Sequence, residues 1–442
     1  MVQHGRVLVI EEGTCAQTLP LWDSVRANGY GVTLAPLEAS AEAIGRCGRP
    51  DAVILNMIAA DMAGSRGRYV EAGTRLMLAQ GGRRLPMIAL DDARGADRPV
   101  GISEMVAPPF SAQRLLSRIA TSRRLATMQS EVRRRIETAV SFGVEGEELG
   151  GPIDAGDADL LLFGSGERYH AIEAALSRTS MITGAFTART ALDYLARRPF
   201  DAILIDRRAD AAVGFLDLLR RDSAFYALPA IALVGDNDTA TAERLFAAGA
   251  TEIVAHANLA FDLARLTAGA VIEHRMRQSL LAVYARGRTI ATNDALTGLY
   301  SRGFLMAHLD RTLEEARVFG TGVAVATVTI DSLPGINEDF GYACGDHVIR
   351  QVGQILARMV RAEDLVARFG AGRFVVVLPD SGPEAAETAI RRAAAVVRST
   401  RLALAGTSAG FATIELTASV IAAGQADTAE TTLRRTFSAA PV

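Results

Sequence analysis

The sequence contains no lysine; all 47 of its basic residues are arginine. Schiff-base catalysis, a lysine general base and the phosphate-binding lysine of a Walker A loop are therefore excluded. Cysteine is scarce: Cys15, Cys47 and Cys344 stand far apart with no CxxC spacing. That excludes a disulfide framework and a cysteine zinc site, and it fits a reducing compartment. Net positive charge is missing too, since 50 acidic residues leave a balance of −3. No global basic field is offered to nucleic acid or to an anionic membrane surface. Among the longest charge-free apolar stretches, Leu402 to Ile414 is interrupted by Gly406 and Gly410 and is too short to span a bilayer. The opening MVQHGRVLVIEEG passes straight into a strand pattern, so no secretory leader is expected. The expectation is a soluble, cytoplasmic protein that binds no nucleic acid and inserts into no membrane.

What is present is ample core material. The chain has 442 residues, 49% of them hydrophobic and 22% charged. That composition folds, and at roughly 150 residues per domain it makes about three domains. The first two thirds repeat. RVLVI (6–10) followed by Glu11, Glu12 and Gly13 corresponds to DLLLF (159–163) followed by Gly164, Ser165 and Gly166. RPDAVILN (49–56) corresponds to RPFDAILID (198–206), and LPMIAL (85–90) to LPAIAL (228–233). Helical patterns fill the gaps, among them Glu167 to Leu176 and Thr239 to Ala247. Apolar strands alternating with helices predict two doubly wound parallel sheets, with function at the carboxyl ends of the strands.

Two amphipathic helices follow the copies. Leu125, Met128, Val132, Ile136 and Val140 mark one stripe, and Ile272, Met276, Leu280 and Val283 the other. A single helix from Ala112 to Val140 would be about 43 Å long and would outreach its own domain. The acidic, glycine-rich 143–157 reads as a linker, which sets the domains at 1–142, 158–290 and 291–442. The third reads as helix (303–318), strand (323–330), loop, helix (345–359), hairpin (365–380), helix (383–399) and strand (416–422), an α+β order.

The two copies resemble receiver domains of response regulators. In that family an acidic pair holds Mg²⁺, an aspartate accepts a phosphoryl group, and a hydroxyl residue and a lysine complete the site. Copy one has Glu11 and Glu12 at the pair but Asn56 at the acceptor, Asp91 at the hydroxyl and Pro108 at the lysine position. An amide cannot become an acyl phosphate. Copy two keeps Asp206 as acceptor, but Gly164 and Ser165 replace the pair, Val234 the hydroxyl residue and His256 the lysine. Without metal-binding carboxylates Asp206 has little to activate it. Both copies read as degenerate receivers kept for docking and homodimerisation.

The third domain resembles the GGDEF (diguanylate cyclase) family. DALTGLYSR (294–302) is similar to DxLTGLxNR, TIDSLPGINEDFGYACGD (329–346) to DIDxFKxxND…GHxxGD, and RAEDLVARFGAGRF (361–374) to RxxD followed by RYGGDEF. The resemblance implies a nucleotidyl-cyclase-like fold whose active members join two GTP molecules with two metal ions. Thr329 and Gly372 stand at the two metal-ligand positions, Ala371 at the second glycine, Arg373 at the second acid and Pro334 at the phosphate-binding lysine. The expectation is no cyclase activity, no required cofactor and no metal. Asp331, the second aspartate of the DID triplet, is expected to be structural. Asn337 and Asp346 fall where the family contacts the guanine base; the alternative is that Asn337 caps a turn and Asp346 the following helix. The closing helix of the family corresponds loosely to AETTLRRTFSAAPV, without its lysine.

The RxxD element, Arg361 and Asp364, is intact. In the family it binds the product, cyclic di-GMP. A planar arginine fork suits guanine or phosphate, an aspartate can accept from the guanine edge, and Arg391 or Arg392 could add a second arginine. The resemblance thus implies a cyclic di-GMP effector built on an inactive cyclase fold. The resemblance to degenerate family members with this domain order further implies an adaptor role in cell-cycle control, at a cell pole, delivering regulators to the ClpXP protease. An active or residual cyclase, a nucleotide-free dimeric scaffold and a GTP sensor remain as alternatives.

Overall fold

The computed structural model describes residues 5–13, 18–40, 50–58, 65–78, 85–91, 102, 104–106, 112–144, 153–176, 180–222, 224–236, 238–286, 291–404 and 410–442. Cys15, Cys47, Pro108, Gly406 and most of the expected linker lie outside these residues. Contacts divide the chain into two compact units, Met1–Ala126 with Gly150–Ser279, and Thr127–Leu149 with Leu280–Val442.

The first unit holds two five-stranded parallel sheets. In one, β1 (Gly5–Glu11), β2 (Tyr30–Ala35), β3 (Ala52–Asn56), β4 (Met87–Leu90) and β5 (Glu104–Val106) run in the order β2-β1-β3-β4-β5. Helices α1 (Leu19–Ala27) and α2 (Ser65–Leu78) accompany it, and α3 (Ala112–Val140) follows. In the other, β6 (Ala158–Gly164), β7 (Ser180–Ala185), β8 (Ala202–Asp206), β9 (Ala230–Val234) and β10 (Glu252–Ala255) repeat that order as β7-β6-β8-β9-β10. Here the helices are α4 (Tyr169–Leu176), α5 (Ala188–Arg197), α6 (Ala209–Arg221), α7 (Thr239–Ala247) and α8 (Leu259–Arg286). The central strands are fully buried because each sheet is covered on both faces by separate apolar clusters. The long α3 does reach the second copy: Arg114 Nη2 lies 2.7 Å from Glu252 Oε2, and Arg118 pairs with both Glu252 and Glu273.

The second unit is an antiparallel sheet in the order β12-β13-β11-β16, formed by β11 (Val323–Ile330), β12 (Leu365–Gly370), β13 (Arg373–Pro379) and β16 (Leu416–Ala422). A short pair, β14 (Leu402–Ala403) and β15 (Phe411–Ala412), stands apart. One face packs α11 (Tyr342–Met359) and α12 (Pro383–Ser399), and the other packs α9 (Arg302–Phe319) and α13 (Ala429–Phe437). The Ser301 hydroxyl accepts the Phe304 N–H to open α9, and Gly320, at φ 64°, closes it.

Three expectations change. The stretch after β11, read as a loop, contains α10 (Leu333–Phe340), started by Pro334 in its first turn and held by buried Leu333 and Ile336. The next helix begins at Tyr342 rather than 345. Residues 127–144, read as the end of the first domain and its linker, belong with the C-terminal unit, because Ala139, Phe142 and Val144 enter its core. Among the described residues no helix is long and apolar enough to cross a membrane.

Candidate functional site

The β12–β13 hairpin carries the degenerate signature. Its turn is retained at a cost: Ala371 sits at φ 46°, the left-handed region that disfavours any residue with a Cβ. Gly372 is closed in. A Cβ built there would stand 2.7 Å from Leu333 Cδ2 and 3.3 Å from Ile330 Cβ, while its carbonyl accepts the Ile330 N–H at 2.9 Å. Arg373 pairs in register with Thr329 across the strands, is exposed, and holds its guanidinium 5.5 Å over the Phe437 ring. Asp331 accepts the Thr417 hydroxyl at 2.7 Å and so ties two strand ends together. The donor set at the family's metal positions is therefore a hydroxyl, a bare backbone and a cation. These do not fit a divalent metal, which takes carboxylate oxygens.

Asn337 lies on α10 and Asp346 on α11. The Asn337 amide packs against Gly345, where a Cβ would fall 1.9 Å from Asn337 Oδ1. Gly345 thus lets the Asn337 amide reach the residue beside Asp346. The capping alternative fails for Asp346, since Gly341 is the N-cap and Asp346 lies a full turn inside the helix. Among the described residues neither side chain is hydrogen-bonded. Tyr342, at the histidine position, is 79% exposed.

Arg361 and Asp364 close a turn between α11 and β12. The Arg361 N–H donates to Asp364 Oδ2 at 2.8 Å, and the Asp364 N–H donates to the Arg361 carbonyl at 3.1 Å. The Arg361 side chain is exposed, whereas Asp364 is only 7% exposed and its Oδ1 has no partner. Burial, helped by Glu363, pushes the Asp364 carboxyl up to about 7, against the pull of the Arg361 N–H, Arg361 and Arg135. Asp364 thus stands beside Arg361 in the turn with its carboxylate largely buried. The carboxylate turns inward to fold the turn, and it is the backbone of Arg361 that it holds. Arg392 Nη2 donates to the Met359 carbonyl, two residues before Arg361, at 3.3 Å. Arg391 instead pairs along its own helix with Glu387 at 3.6 Å.

Beneath the turn lies a residue that the apolar pattern did not single out. Arg135, buried on α3, donates through Nη2 to the carbonyls of Glu363 and Asp364 at 3.2 and 3.0 Å.

The receiver-like sites are closed by their own side chains. Asn56 donates to Glu11 Oε2 at 2.9 Å and to the Thr18 hydroxyl at 3.1 Å. Glu12 pairs with Arg68 at 3.0 Å. In the second copy Asp206 is buried opposite Gly164, receives Arg168 Nη1 at 3.0 Å, and has His256 Nε2 at 4.0 Å. Sequence reading missed Arg168; an arginine shortly after the vacated acidic pair is the signal that could have found it.

Residues 291–439 match the family model described as "Diguanylate cyclase, GGDEF domain". The chain is 25% identical to the response regulator PleD of Caulobacter vibrioides, over 98% of this chain and 95% of that one. It is 34% identical over 110 residues to the diguanylate cyclase DgcP of Pseudomonas aeruginosa, 25% of this chain and 16% of that one. Among solved structures it is similar to the GGDEF domain of DgcB from Caulobacter crescentus in complex with c-di-GMP. That match has 26% identity and a TM-score of 0.33 over 34% of this chain and 88% of that one. Two parallel-sheet α/β domains are thus followed by a GGDEF domain, and along nearly its whole length the chain is related to the response regulator PleD.

Proposed function

We propose that this chain is a catalytically silent relative of PleD that reads cyclic di-GMP at the Arg361 turn and passes the signal to protein partners. The observation that carries the reading is Gly372, packed under Leu333 at the position where active relatives place a metal carboxylate. With Thr329 at the other ligand position and Arg373 alongside, nothing gathers the metals that would balance the charge of phosphoryl transfer. The Arg361 turn, by contrast, is fully built. Its backbone is fixed by Asp364 and Arg135, and its exposed guanidinium has Arg392 anchored nearby. Two arginines suit a dianionic dinucleotide.

The combination resembles PopA, the degenerate paralogue of PleD. On that resemblance the output is cell-cycle control, with the nucleotide-bound protein at a cell pole presenting regulators to ClpXP, and the receiver-like domains supporting a homodimer. Incubation of the full chain with GTP and Mg²⁺ tests the first half. The reading expects no cyclic di-GMP, and sustained synthesis overturns it. Calorimetry with cyclic di-GMP tests the second half; absence of binding leaves a nucleotide-free scaffold.

A second reading, GTP binding without turnover, is favoured by one observation: the Asn337 amide packs against Gly345, the residue next to Asp346 in the chain. An asparagine and an aspartate can together read the guanine edge. Titration with GTP in EDTA separates it from the first.

A further inference from the structure

The face of α3 turned to the GGDEF core is charged, and its charges converge on one guanidinium. Arg135 donates through Nε to Glu131 Oε1 at 2.7 Å and through Nη2 to two consecutive carbonyls of the Arg361 turn. Its Cζ stands 4.5 Å from the Tyr284 ring centre and 5.5 Å from that of Tyr300. Glu131, 1% exposed, also binds Arg134 at 2.8 Å and lies 3.0 Å from His308 Nε2. The Tyr284 hydroxyl donates back to the Met128 carbonyl of α3 at 2.9 Å. Tyr300 is threaded to β12, its carbonyl accepting the Arg368 N–H at 2.9 Å. A buried guanidinium in this setting tolerates little displacement. If α3 shifted, the turn would lose two carbonyl partners in a site that water does not reach.

We propose that Arg135 is the positioning residue through which α3 sets the Arg361 turn, so that seating of the helix and occupation of the turn by an anionic dinucleotide favour one another. The coupling to ligand rests on the reading of that turn as a cyclic di-GMP site; the positioning role does not. By linkage, whatever anchors α3 strengthens binding at the turn, and binding at the turn anchors α3 by the same factor. Lysine cannot replace Arg135, because a point charge cannot span Glu131 and two carbonyls as a planar fork does.

Hydrogen exchange of the full-length chain, read by mass spectrometry, tests this. In ligand-free protein, Arg135→Lys should speed exchange of the 361–366 amides roughly tenfold, the loss expected for about one buried hydrogen bond, while β16 keeps its protection. If Arg135→Lys does not fold, Tyr284→Leu removes the ring beside the guanidinium without changing charge and should loosen the same amides. Unchanged exchange at the turn in a folded variant overturns the proposal. So does acceleration spread evenly over the whole C-terminal unit, which marks a purely structural role. With cyclic di-GMP added, the wild type should slow exchange at the turn and at residues 128–138 of α3, and Arg135→Lys at the turn alone. Equal slowing of α3 in both overturns the coupling. A wild type unaffected by the dinucleotide removes the coupling together with the ligand reading, while the ligand-free comparison still decides the positioning role.

Discussion

The carboxylate of Asp364 accepts the main-chain N–H of Arg361 at 2.8 Å, so the two residues of the RxxD element meet through the aspartate side chain and the arginine backbone, not side chain to side chain. The arginine side chain is exposed and the aspartate is kept inside to shape the turn. This division of labour separates the effects of substituting the two residues.

Asp364 should make stability fall as pH rises. Burial raises its carboxyl from the ordinary 3.8 to about 7, so between those values the folded chain holds a proton that the unfolded chain has lost. Its contribution is complete below about pH 4 and gone above about pH 7, a span worth on the order of 4 kcal/mol. Asp364→Asn retains an acceptor for the Arg361 N–H and has no charge to lose. Urea melts at pH 5 and pH 8 should show the variant gaining on the wild type at the higher pH.

Restoring a carboxylate at Gly372 should not restore a cyclase. Gly372→Asp must displace the buried Leu333 side chain and is expected to cost about 1–3 kcal/mol, as overpacking does. Thermal melts should show the loss, and Leu333→Ala in the same chain should recover part of it relative to Leu333→Ala alone. GTP turnover should stay at background in both.

Asp206 should resist phosphorylation. Its carboxylate is ion-paired with Arg168, and the metal-binding pair is replaced by Gly164 and Ser165. Incubation with acetyl phosphate and Mg²⁺ should leave the intact mass unchanged. A hydroxylamine-labile adduct at Asp206 would contradict this.

Glu131 should be among the costliest single residues to remove. Burial works against its charge, and His308, Arg135 and Arg134 outweigh burial and hold the carboxyl well below its usual range. Glu131→Ala would leave the buried Arg135 guanidinium without a carboxylate partner, Arg134 keeping Glu315 at 3.0 Å, a loss of about 3–5 kcal/mol. Chemical denaturation at pH 7 measures it.

Much of the fold was legible in the sequence because apolar strands between turn residues admit few arrangements. RVLVI and DLLLF are buried first-laid strands of equivalent sheets, and Ala112 to Val140 is one helix. The helix also shows the limit. Its apolar stripe named Val140, which is 51% exposed, while Glu131, Arg134, Arg135 and Thr138 are buried. Periodicity counts apolar residues and cannot foresee charges buried in pairs. Likewise α10 was hidden by Pro334 and Gly335, since breakers inside a short segment read as a loop when only tertiary packing of Leu333 and Ile336 holds it helical. The residue types at Arg361 and Asp364 were legible, but the anchoring of the turn's carbonyls by Arg135 comes from a helix over two hundred positions earlier, which no local pattern encodes.

The most direct test is a calorimetric titration of the full chain and of Arg361→Ala with cyclic di-GMP at one fixed salt concentration. The account predicts saturable binding by the wild type and at least a roughly tenfold weaker Kd for the variant, the loss of one charge-assisted contact. No heat from the wild type, or equal affinities, would contradict it.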